Sequence, residues 1–265
     1  LWVRLPEPLD AGDLLARGIP HFLPLAMCTK YYGKRKVKVE LPPFPGYVFL
    51  RGAAEDAYES DRPGRLFEDA SWTWRDVVAE SAARSAVFAD LLDHNQPPHV
   101  AVLLDNVPEF AVAVGGAALG GQVIVGLNST RQGAALAGDL ARTDCQFVLT
   151  DARLRELLPT DLDVPVHEID SVEWRDLVDR HHGAALPPAD VRADDLLMLI
   201  FTSGTSGDPK AVRVTHVKVD YPGARLAERF GLGPDDVVYV AMPMFHSNAS
   251  MAGWAVGLAA GATIA

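Results

Sequence analysis

Residues 194–210 have the sequence DDLLMLIFTSGTSGDPK. Six apolar residues, the length of a buried strand, lead directly into a loop of hydroxyl side chains and glycines that closes on a lysine. Glycines let backbone N–H groups approach a ligand closely, and successive N–H groups in such a turn form an anion-binding concavity. The side chains that add donors or positive charge are Thr202, Ser203, Thr205, Ser206 and Lys210, and the glycines are Gly204 and Gly207. The stretch therefore predicts a loop that binds a polyphosphate.

Two widespread phosphate-binding motifs do not fit this loop. The Walker A pattern needs glycine directly before its lysine and Ser or Thr after it, but Lys210 lies between Pro209 and Ala211. The dinucleotide pattern GxGxxG fails as well, because Gly204 and Gly207 are three residues apart. A flexible Gly/Ser turn without a ligand is the remaining alternative. The apolar strand before the loop and the Pro-Lys pair after it favour phosphate binding.

The sequence before this loop alternates between apolar runs of strand length and helical patterns. The predicted strands are HVAVLLDN, IVGLNS and QFVLTD, and the predicted helices between them are PEFAVAVGGAALGGQ and GAALAGDLARTDC. A short strand pair and a longer amphipathic helix precede them in residues 66–92, where Ser71 or Thr73 could cap the helix. This alternation predicts an α/β fold, mainly a parallel sheet with helices on both faces.

Polar residues follow the predicted strands at their carboxyl ends, where parallel sheets bind ligands. They are Asp105, Asn106, Asn128, Ser129, Thr150 and Asp151. Each is also an ordinary residue for a strand-to-helix turn, so a purely structural role is the alternative. Residues 157–194 are rich in Pro and Asp and predict exposed connections with one short helix near residues 173–180. The adjacent His181 and His182 would not share a helix face, which argues against a metal-binding pair.

The segment after the loop, VVYVAMPMFHSNASMAGW, places His246 behind an apolar run. His246 is an ordinary loop histidine or, as the family resemblance described below implies, lies at the end of a strand near the phosphate loop. The closing residues GLAAGATIA predict a helix, a glycine and the start of a new strand. Because the first residue is Leu rather than Met and the last residues begin a new strand, both ends are expected to be cuts or the limits of an incomplete gene model.

Residues 1–62 differ in composition from the rest of the chain. They are close to neutral in formal charge and hold a basic cluster at residues 30–38 between aromatic-rich segments. Residues 11–18 have helical spacing, and residues 37–39 and 47–50 predict strands. The polar run EDAYESDRPGR predicts a junction. The predicted domains are therefore residues 1–62 and residues 63–265.

Bulk composition argues against several classes of protein. A net charge of −11 and a pI of about 5.1 disfavour nucleic-acid binding along the whole surface. Cys28 and Cys145 form no CxxC pair, so two reduced thiols are expected rather than a disulfide framework or zinc site. The apolar stretch at residues 110–125 is interrupted by glycines and too short for a membrane span, and no signal-peptide pattern begins the sequence. These features predict a cytoplasmic protein.

The loop FTSGTSGDPKA resembles the signature of the adenylate-forming (AMP-binding) superfamily, [Tyr/Phe]-Thr-Ser-Gly-[Ser/Thr]-Thr-Gly-x-Pro-Lys-Gly. It departs at Ser206, which keeps the hydroxyl of the usual Thr, and at Ala211, where Gly is usual. The segments RVTH and MPMFH are similar to two further segments of that family. SWTWRDVVAESAARSA and HVAVLLDNVPEF further resemble fatty-acyl-CoA synthetases of actinobacterial type. The resemblance covers about residues 64–265 and implies an incomplete N-terminal domain of such an enzyme.

This resemblance implies a two-step reaction. A carboxylate attacks the α-phosphate of MgATP, and the thiol of coenzyme A then displaces AMP from the acyl-adenylate. The implied phosphate-binding residues are Thr202, Ser203, Gly204, Thr205, Ser206, Gly207 and Lys210. Thr202 would help to hold Mg²⁺, and His246 would lie near the pocket for a fatty acid or other carboxylate, while no residue is assigned as catalytic. The family's Tyr-Gly-x-Thr-Glu motif and catalytic lysine do not occur in this sequence, so no ligase turnover is expected from the chain alone.

The run FLPLAMCTKYYGKRKVKVELPPFPGYVFLRG resembles part of the N-terminal domain of NusG-type transcription elongation factors, most specifically at residues 44–49. This similarity covers about residues 12–62 and implies a small partial α+β segment before the ligase-like domain. It also implies contact with RNA polymerase if the segment is functional. The alternative function is therefore a NusG-like elongation or antitermination module fused to a ligase-like tail. A third interpretation is a fusion without a joint function.

Overall fold

The computed structural model describes residues 60–187, 190–202 and 209–265 and, before them, five strands at residues 2–4, 21–22, 26–32, 35–41 and 47–50. The chain divides into two compact units, Leu1–Ser60 and Asp61–Ala265. The domain boundary predicted between residues 62 and 63 lies close to this division.

The strands of the first unit are β1 (Trp2–Arg4), β2 (His21–Phe22), β3 (Ala26–Tyr32), β4 (Arg35–Leu41) and β5 (Tyr47–Leu50). β5 pairs antiparallel with β1 and with β2 in a three-stranded sheet, and β3 pairs antiparallel with β4. The strands predicted at residues 37–39 and 47–50 are confirmed within β4 and β5. The helix predicted at residues 11–18 lies outside the described residues.

The second unit is built on two sheets. Its strands are β6 (Pro63–Phe67), β7 (Ala70–Thr73), β8 (His99–Leu103), β9 (Val123–Gly126), β10 (Phe147–Thr150), β11 (Val166–Glu168), β12 (Leu196–Thr202), β13 (Lys210–Thr215), β14 (Val237–Val238) and β15 (Thr263–Ile264). The larger sheet has six strands in the order β11-β10-β8-β9-β12-β13. All neighbours from β11 to β12 are parallel, and β13 is antiparallel to β12. The predicted, mainly parallel sheet is confirmed.

Helices connect these strands. They are α1 (Trp74–Leu91), α2 (Pro108–Gly120), α3 (Ala134–Ala141), α4 (Ala152–Arg155), α5 (Val172–Arg180), α6 (His216–Phe230), α7 (Ser247–Ala249) and α8 (Ala255–Ala260), with a π-helical turn at Ser250–Trp254. The predicted cap of α1 is confirmed at Thr73, whose hydroxyl accepts from the Asp76 N–H at 3.1 Å while the Asp76 carboxylate accepts from the Thr73 N–H at 2.9 Å. Within the described part of the chain, no helix combines the length and apolarity needed to cross a membrane.

Both faces of the larger sheet are buried. Along β8, Val100 and Val102 lie in one apolar cluster, and Ala101 and Leu103 lie in a second. This alternation arises because successive side chains of a strand point to opposite faces. The first cluster continues into α1 and α2, and the second into α3. Burial of one large apolar side chain contributes about 1.5–3 kcal/mol, so helices on both faces are needed to stabilise these strands.

The smaller sheet joins the two ends of the second unit, in the order β14-β15-β6-β7. β15 runs parallel to β6, with Ile264 opposite Arg65. The Thr263 hydroxyl donates to the Pro63 carbonyl at 3.0 Å. The sequence predicted the β6–β7 pair and the final strand, but it did not predict that they belong to one sheet.

Candidate functional site

The two ends of the predicted phosphate loop lie opposite each other on paired strands. Thr202 is the last residue of β12, Lys210 is the first of β13, and the two are partners in the antiparallel register. Directly opposite residues of an antiparallel pair project from the same face of the sheet. The exposed Thr202 hydroxyl and Lys210 ammonium therefore share a face. The residues predicted to bind phosphate between them lie outside the described residues: Ser203, Gly204, Thr205, Ser206 and Gly207.

β12 fixes this pair of strands within the sheet. It lies between β9 and β13, and its residues Met198 and Ile200 are buried in the apolar cluster that includes α1 and α2. Since alternate residues of a strand share a face, Thr202 projects from the same face as Met198 and Ile200. Its hydroxyl thus stands at the carboxyl edge of the sheet, immediately beyond a packed apolar surface. This is the edge where parallel sheets bind ligands.

Asn106 attaches a second segment to the same edge. It follows β8, and its side-chain NH₂ donates to the Val240 carbonyl at 3.0 Å and to the Met242 carbonyl at 2.8 Å. Its Oδ1 accepts from the Met244 N–H at 2.8 Å. Asn106 therefore uses both donor hydrogens and its carbonyl on one neighbouring segment. These bonds fix the backbone of residues 240–244 beside the end of β8.

Phe245 packs this segment onto the end of β9. Phe245 is 4% exposed, and a Cβ added to Gly126 would lie 2.9 Å from the Phe245 Cβ. Only glycine permits this approach. Gly126 is the register partner of Ile200 across β9 and β12, and Phe245 belongs to the same apolar cluster as Ile200. Phe245 therefore packs on the face of the sheet from which Thr202 projects.

His246 follows Phe245 directly and is half-buried. The centroids of the two rings are 4.4 Å apart. His246 is the N-cap residue of α7, so the prediction that it ends a strand is wrong. β14 stops at Val238, and Pro243 lacks the N–H that a continuing strand would need. Its neighbour Phe245 packs on the sheet face from which Thr202 projects, and the position of His246 near the phosphate loop stays a prediction.

Asp105 joins separate loops at this edge. Its carboxylate accepts from the Ser129 hydroxyl at 3.3 Å and forms an ion pair with Arg153, whose side chain is 66% exposed. The loops after β8, β9 and β10 are thereby connected. A pair this exposed contributes about 1 kcal/mol or less to stability.

The other residues predicted at this edge serve local structure. Asn128 accepts from the Thr130 N–H at 2.9 Å, which makes an ordinary turn. Asp151 caps α4 by accepting from the Leu154 N–H at 2.6 Å. Thr150 is fully buried. The observed contacts of Asn128, Asp151 and Thr150 therefore fit a purely structural role.

A buried carboxylate holds the loop after β9. The side chain of Asp139 on α3 is fully buried and forms ion pairs with Arg131 at 2.8 Å and Arg142 at 3.1 Å. Burial raises the pKa of Asp139, and both guanidinium groups oppose that shift. Removal of either arginine would leave this carboxyl poorly compensated. The pair with Arg131 fastens the loop that leaves the carboxyl end of β9.

Thr202 is the residue for which the sequence predicts a role in holding Mg²⁺. Among residues 60–187, 190–202 and 209–265, no group of three or more His, Cys, Asp or Glu side chains is placed to hold a metal ion. Thr202 supplies one hydroxyl. Because Mg²⁺ takes many of its ligands from substrate phosphates and water, this donor fits an ion held mainly by phosphate oxygens.

Two residues that shape the edge carry weak sequence signals. Asn106 was predicted at the edge, but its partners lie 134 and more residues away, and no local pattern identifies them. Gly126 was not singled out at all. Its position at the end of the apolar run VIVG is the available signal, because glycine in a strand often marks the close approach of another backbone.

A family of known proteins matches most of this chain. A sequence profile described as "AMP-binding enzyme" matches residues 53–265. The medium/long-chain-fatty-acid–CoA ligase FadD17 of Mycobacterium tuberculosis is 49% identical over 201 residues, and the steroid-22-oyl-CoA synthetase of Rhodococcus jostii is 42% identical over 221 residues. These alignments cover 76% and 79% of this chain, but 39% and 38% of those relatives. The chain thus spans about two fifths of their length.

Solved structures share its architecture. The crystal structure of VinN superposes with a TM-score of 0.65 at 25% identity and covers 80% of this chain and 54% of VinN. ATP-bound MatB from Rhodopseudomonas palustris superposes with a TM-score of 0.68 and covers 78% of this chain and 42% of MatB. At 20% identity, the similarity to MatB concerns the fold alone.

Proposed function

Because the chain belongs to the AMP-binding enzyme family, we propose that it acts in ATP-dependent activation of a carboxylic acid, as an AMP-forming acyl-CoA ligase. The names of two relatives support a fatty acid or a comparably apolar acid as substrate and coenzyme A as acceptor. The observation that carries the proposal is the register that sets Lys210 opposite Thr202 at the two ends of loop 203–209. A hydroxyl and an ammonium on one sheet face suit a polyphosphate.

The phosphate side of the reaction is assigned to this loop. The Lys210 ammonium would offset the negative charge that builds on the leaving pyrophosphate, and β13 fixes the backbone from which this side chain projects. The hydroxyls of Thr202, Ser203, Thr205 and Ser206 would donate to phosphate oxygens. Backbone N–H groups at Gly204 and Gly207 would also donate to phosphate oxygens. Mg²⁺, when bound, would neutralise part of the phosphate charge, and Thr202 is its proposed protein ligand.

The acyl side is assigned to residues 242–246. Met242 is 45% exposed, whereas Met244 and Phe245 are each 4% exposed. The segment therefore presents Met242 and the half-buried His246 to a ligand and packs its other apolar residues inward. An imidazole beside an apolar side chain suits the carboxylate end of a fatty acid, because a ring N–H donates to a carboxylate oxygen.

Equilibrium binding of ATP to the purified chain tests the proposal. Lys210→Ala is expected to weaken ATP binding by about ten-fold or more, because it removes a charge-assisted contact. Lys218→Ala is the matched control. Lys218 is also exposed, but its ammonium donates to the Arg213 carbonyl at 3.0 Å, near the opposite end of β13. Equal ATP affinity for the Lys210→Ala variant and the unmodified chain would sink the proposal.

The NusG-like interpretation of residues 12–62 and the cytoplasmic location remain predictions. The antiparallel pairing of β3 with β4 favours a hairpin that carries the basic cluster. Co-elution of the purified chain with purified core RNA polymerase in size-exclusion chromatography tests the NusG-like interpretation. Separate elution at concentrations of both components well above micromolar would contradict it.

A further inference from the structure

The segment that carries His246 has little regular structure of its own. β14 ends at Val238 and α7 begins at Ser247. Backbone hydrogen bonds reach only scattered points along it. The Val240 N–H donates to the Ala265 carbonyl at 2.7 Å, and the His246 N–H donates to the Pro243 carbonyl at 2.9 Å. The position of residues 240–246 therefore depends strongly on side chains from other elements.

Asn106 supplies hydrogen-bond partners that a neighbouring strand would otherwise provide. It pairs with the Val240 and Met242 carbonyls and with the Met244 N–H, at 3.0, 2.8 and 2.8 Å. An asparagine side chain carries the same amide and carbonyl groups as a peptide bond, so it can substitute for strand pairing at one point. Its loss would leave these backbone groups without those partners beside the buried Met244.

Two close contacts hold the segment from other sides. Phe245 lies against Gly126, where an added Cβ would come within 2.9 Å of the Phe245 Cβ. Val240 lies against Gly253 of the π-helical turn, where an added Cβ would come within 3.3 Å of a Val240 methyl group. With Asn106 on the β8 side, these contacts determine where His246 stands on the sheet edge.

We propose that Asn106 is a positioning residue for the acyl side of the site. It holds residues 240–246 against the ends of β8 and β9, so that binding of a fatty acid depends on it while binding of the ATP phosphates does not. The inference rests on the proposed ligase function and adds to it the residue that positions His246.

The phosphate side is held by different contacts. Thr202 and Lys210 are fixed by the ladder between β12 and β13, in which neither Asn106 nor residues 240–246 take part. Asn106 itself shares no hydrogen-bond partner with this ladder, and residues without shared partners couple only weakly. A substitution at Asn106 should therefore separate the two halves of substrate binding.

Two substitutions disturb the same segment by different routes. Asn106→Asp keeps the acceptor for the Met244 N–H but replaces the two donors by a charged oxygen that repels the Val240 and Met242 carbonyls. Gly126→Ala leaves Asn106 intact and displaces Phe245 instead. Asn95→Ala is the matched control, because Asn95 donates to the neighbouring Asp93 carboxylate at 2.9 Å, before the amino end of β8. Thermal unfolding followed by circular dichroism verifies that each variant is folded.

The readouts are the fluorescence of cis-parinaric acid, an apolar fatty-acid probe, and the dissociation constant for ATP. Asn106→Asp and Gly126→Ala are each expected to weaken binding of the probe by about ten-fold. For Asn106→Asp the ATP dissociation constant should change by less than about two-fold; Gly126→Ala is compared by probe binding alone, because Gly126 pairs with Ile200 of β12. Unchanged probe binding in a folded variant, no probe binding by the unmodified chain, or parallel loss of both ligands in Asn106→Asp would overturn the inference. If the unmodified chain does not bind ATP, the proposed function itself is refuted.

Proton NMR of the histidine rings in the unmodified chain provides a test that does not require the variants to fold. Addition of the fatty acid is expected to shift the imidazole C–H proton resonances of His246, and to leave those of His99 unchanged, since the His99 ring is held by the Thr143 carbonyl at 2.6 Å near the amino end of β8. Equal or absent shifts for the two histidines would count against the inference.

Discussion

Asn106 and Asn128 show how much one residue type can differ between two equivalent positions. Each follows a buried strand of the larger sheet, and the sequence predicts both at its edge. Asn106 bonds to residues more than 130 positions away, whereas Asn128 bonds to Thr130, two residues along the chain. Turn propensity is local and can be predicted from sequence. The remote partner that makes Asn106 important for the site depends on the tertiary fold.

The ion pair between Arg84 and Glu109 joins α1 to α2. Two hydrogen bonds, at 2.7 and 2.6 Å, connect the guanidinium to the carboxylate, and the two side chains are 11% and 12% exposed. Burial works to lower the pKa of Arg84, but the hydrogen bonds and charge of Glu109 raise it above its ordinary value. Glu109→Gln is expected to lower the free energy of unfolding by about 3 kcal/mol, because it leaves a buried cation without its counter-charge.

Urea unfolding measures this cost. Asp190→Asn is the control, since Asp190 pairs with Arg192 through side chains that are 86% and 74% exposed. That change should alter the free energy of unfolding by about 1 kcal/mol or less. Similar losses for both variants would show that the Arg84–Glu109 pair is no more important than a surface pair.

Cys145 gives a pH-dependent prediction. Burial raises the pKa of its thiol from 9.0 to about 12. The folded state therefore keeps the thiol neutral while the unfolded state ionises it, so this stabilisation is complete below pH 9 and is lost as pH rises toward 12. The Cys145 contribution to the free energy of unfolding should be about 1.4 kcal/mol smaller at pH 10 than at pH 8.

The comparison with Cys145→Ala isolates this effect from other groups that titrate in the same range. The difference in unfolding free energy between the two proteins should shrink by that amount from pH 8 to pH 10. A difference that stays constant over this range would show that the buried thiol titrates normally.

At the scale of elements, burial on both faces explains which strands were predictable. β8, β9, β10 and β12 are buried on both sides and therefore appear as continuous apolar runs. β13 lies at the sheet edge, where Lys210, Val212 and Arg213 are exposed, and its sequence has no such run. β11 spans only three residues within a loop-rich region. Short or edge strands gain too little from burial to leave a clear pattern.

The packing of α1 against α2 depends on Gly116. A Cβ there would lie 2.9 Å from the Ser81 carbonyl oxygen and 2.9 Å from the Ser85 nitrogen, both backbone atoms of α1. Gly116→Ala is therefore expected to destabilise the protein by about 1–3 kcal/mol, because the two helices must move apart. Chemical denaturation measures the change.

Gly138→Ala is the matched helical control. A Cβ at Gly138 would lie 3.3 Å from the Arg142 guanidinium, which pairs with Asp139, and would meet no backbone atom of a neighbouring helix among its nearest contacts. Alanine is the better helix former by about 0.5–1 kcal/mol, which offsets a small shift of Arg142, so this variant should change the free energy of unfolding by less than about 1 kcal/mol. Equal effects of the two substitutions would contradict the close approach of α1 and α2.

At the scale of the whole second unit, long-range pairing was the part that the sequence did not predict. β6 and β15 are each too short to form a strong pattern, and their pairing joins Arg65 to Ile264 across the length of the unit. Local periodicity contains no information on such a partner. The residues at the carboxyl edge of the larger sheet were predictable, because strands that alternate with helices form a parallel sheet whose carboxyl ends lie along one edge. The helical position of His246 was not, since it depends on the early end of β14 and on Pro243.

The proposed phosphate site at Lys210 and Thr202 lies in a molecule whose overall charge opposes a polyanion. The chain carries a formal net charge of −11 and therefore repels a polyanion such as ATP in general. Among the residues described beyond residue 60, the lysines are Lys210 and Lys218. Binding of ATP must overcome this overall repulsion through a local site.

Lysine modification with and without ATP distinguishes a local phosphate site at Lys210 from a general effect of ATP on the protein. The chain is treated briefly with an acetylating reagent, and mass spectrometry compares the rates at Lys210 and Lys218 in the same sample. We predict that saturating MgATP slows acetylation of Lys210 several-fold and leaves Lys218 unchanged, because the phosphates cover the first ammonium only. Equal protection of both lysines, or no protection of Lys210, would contradict a phosphate site at this loop.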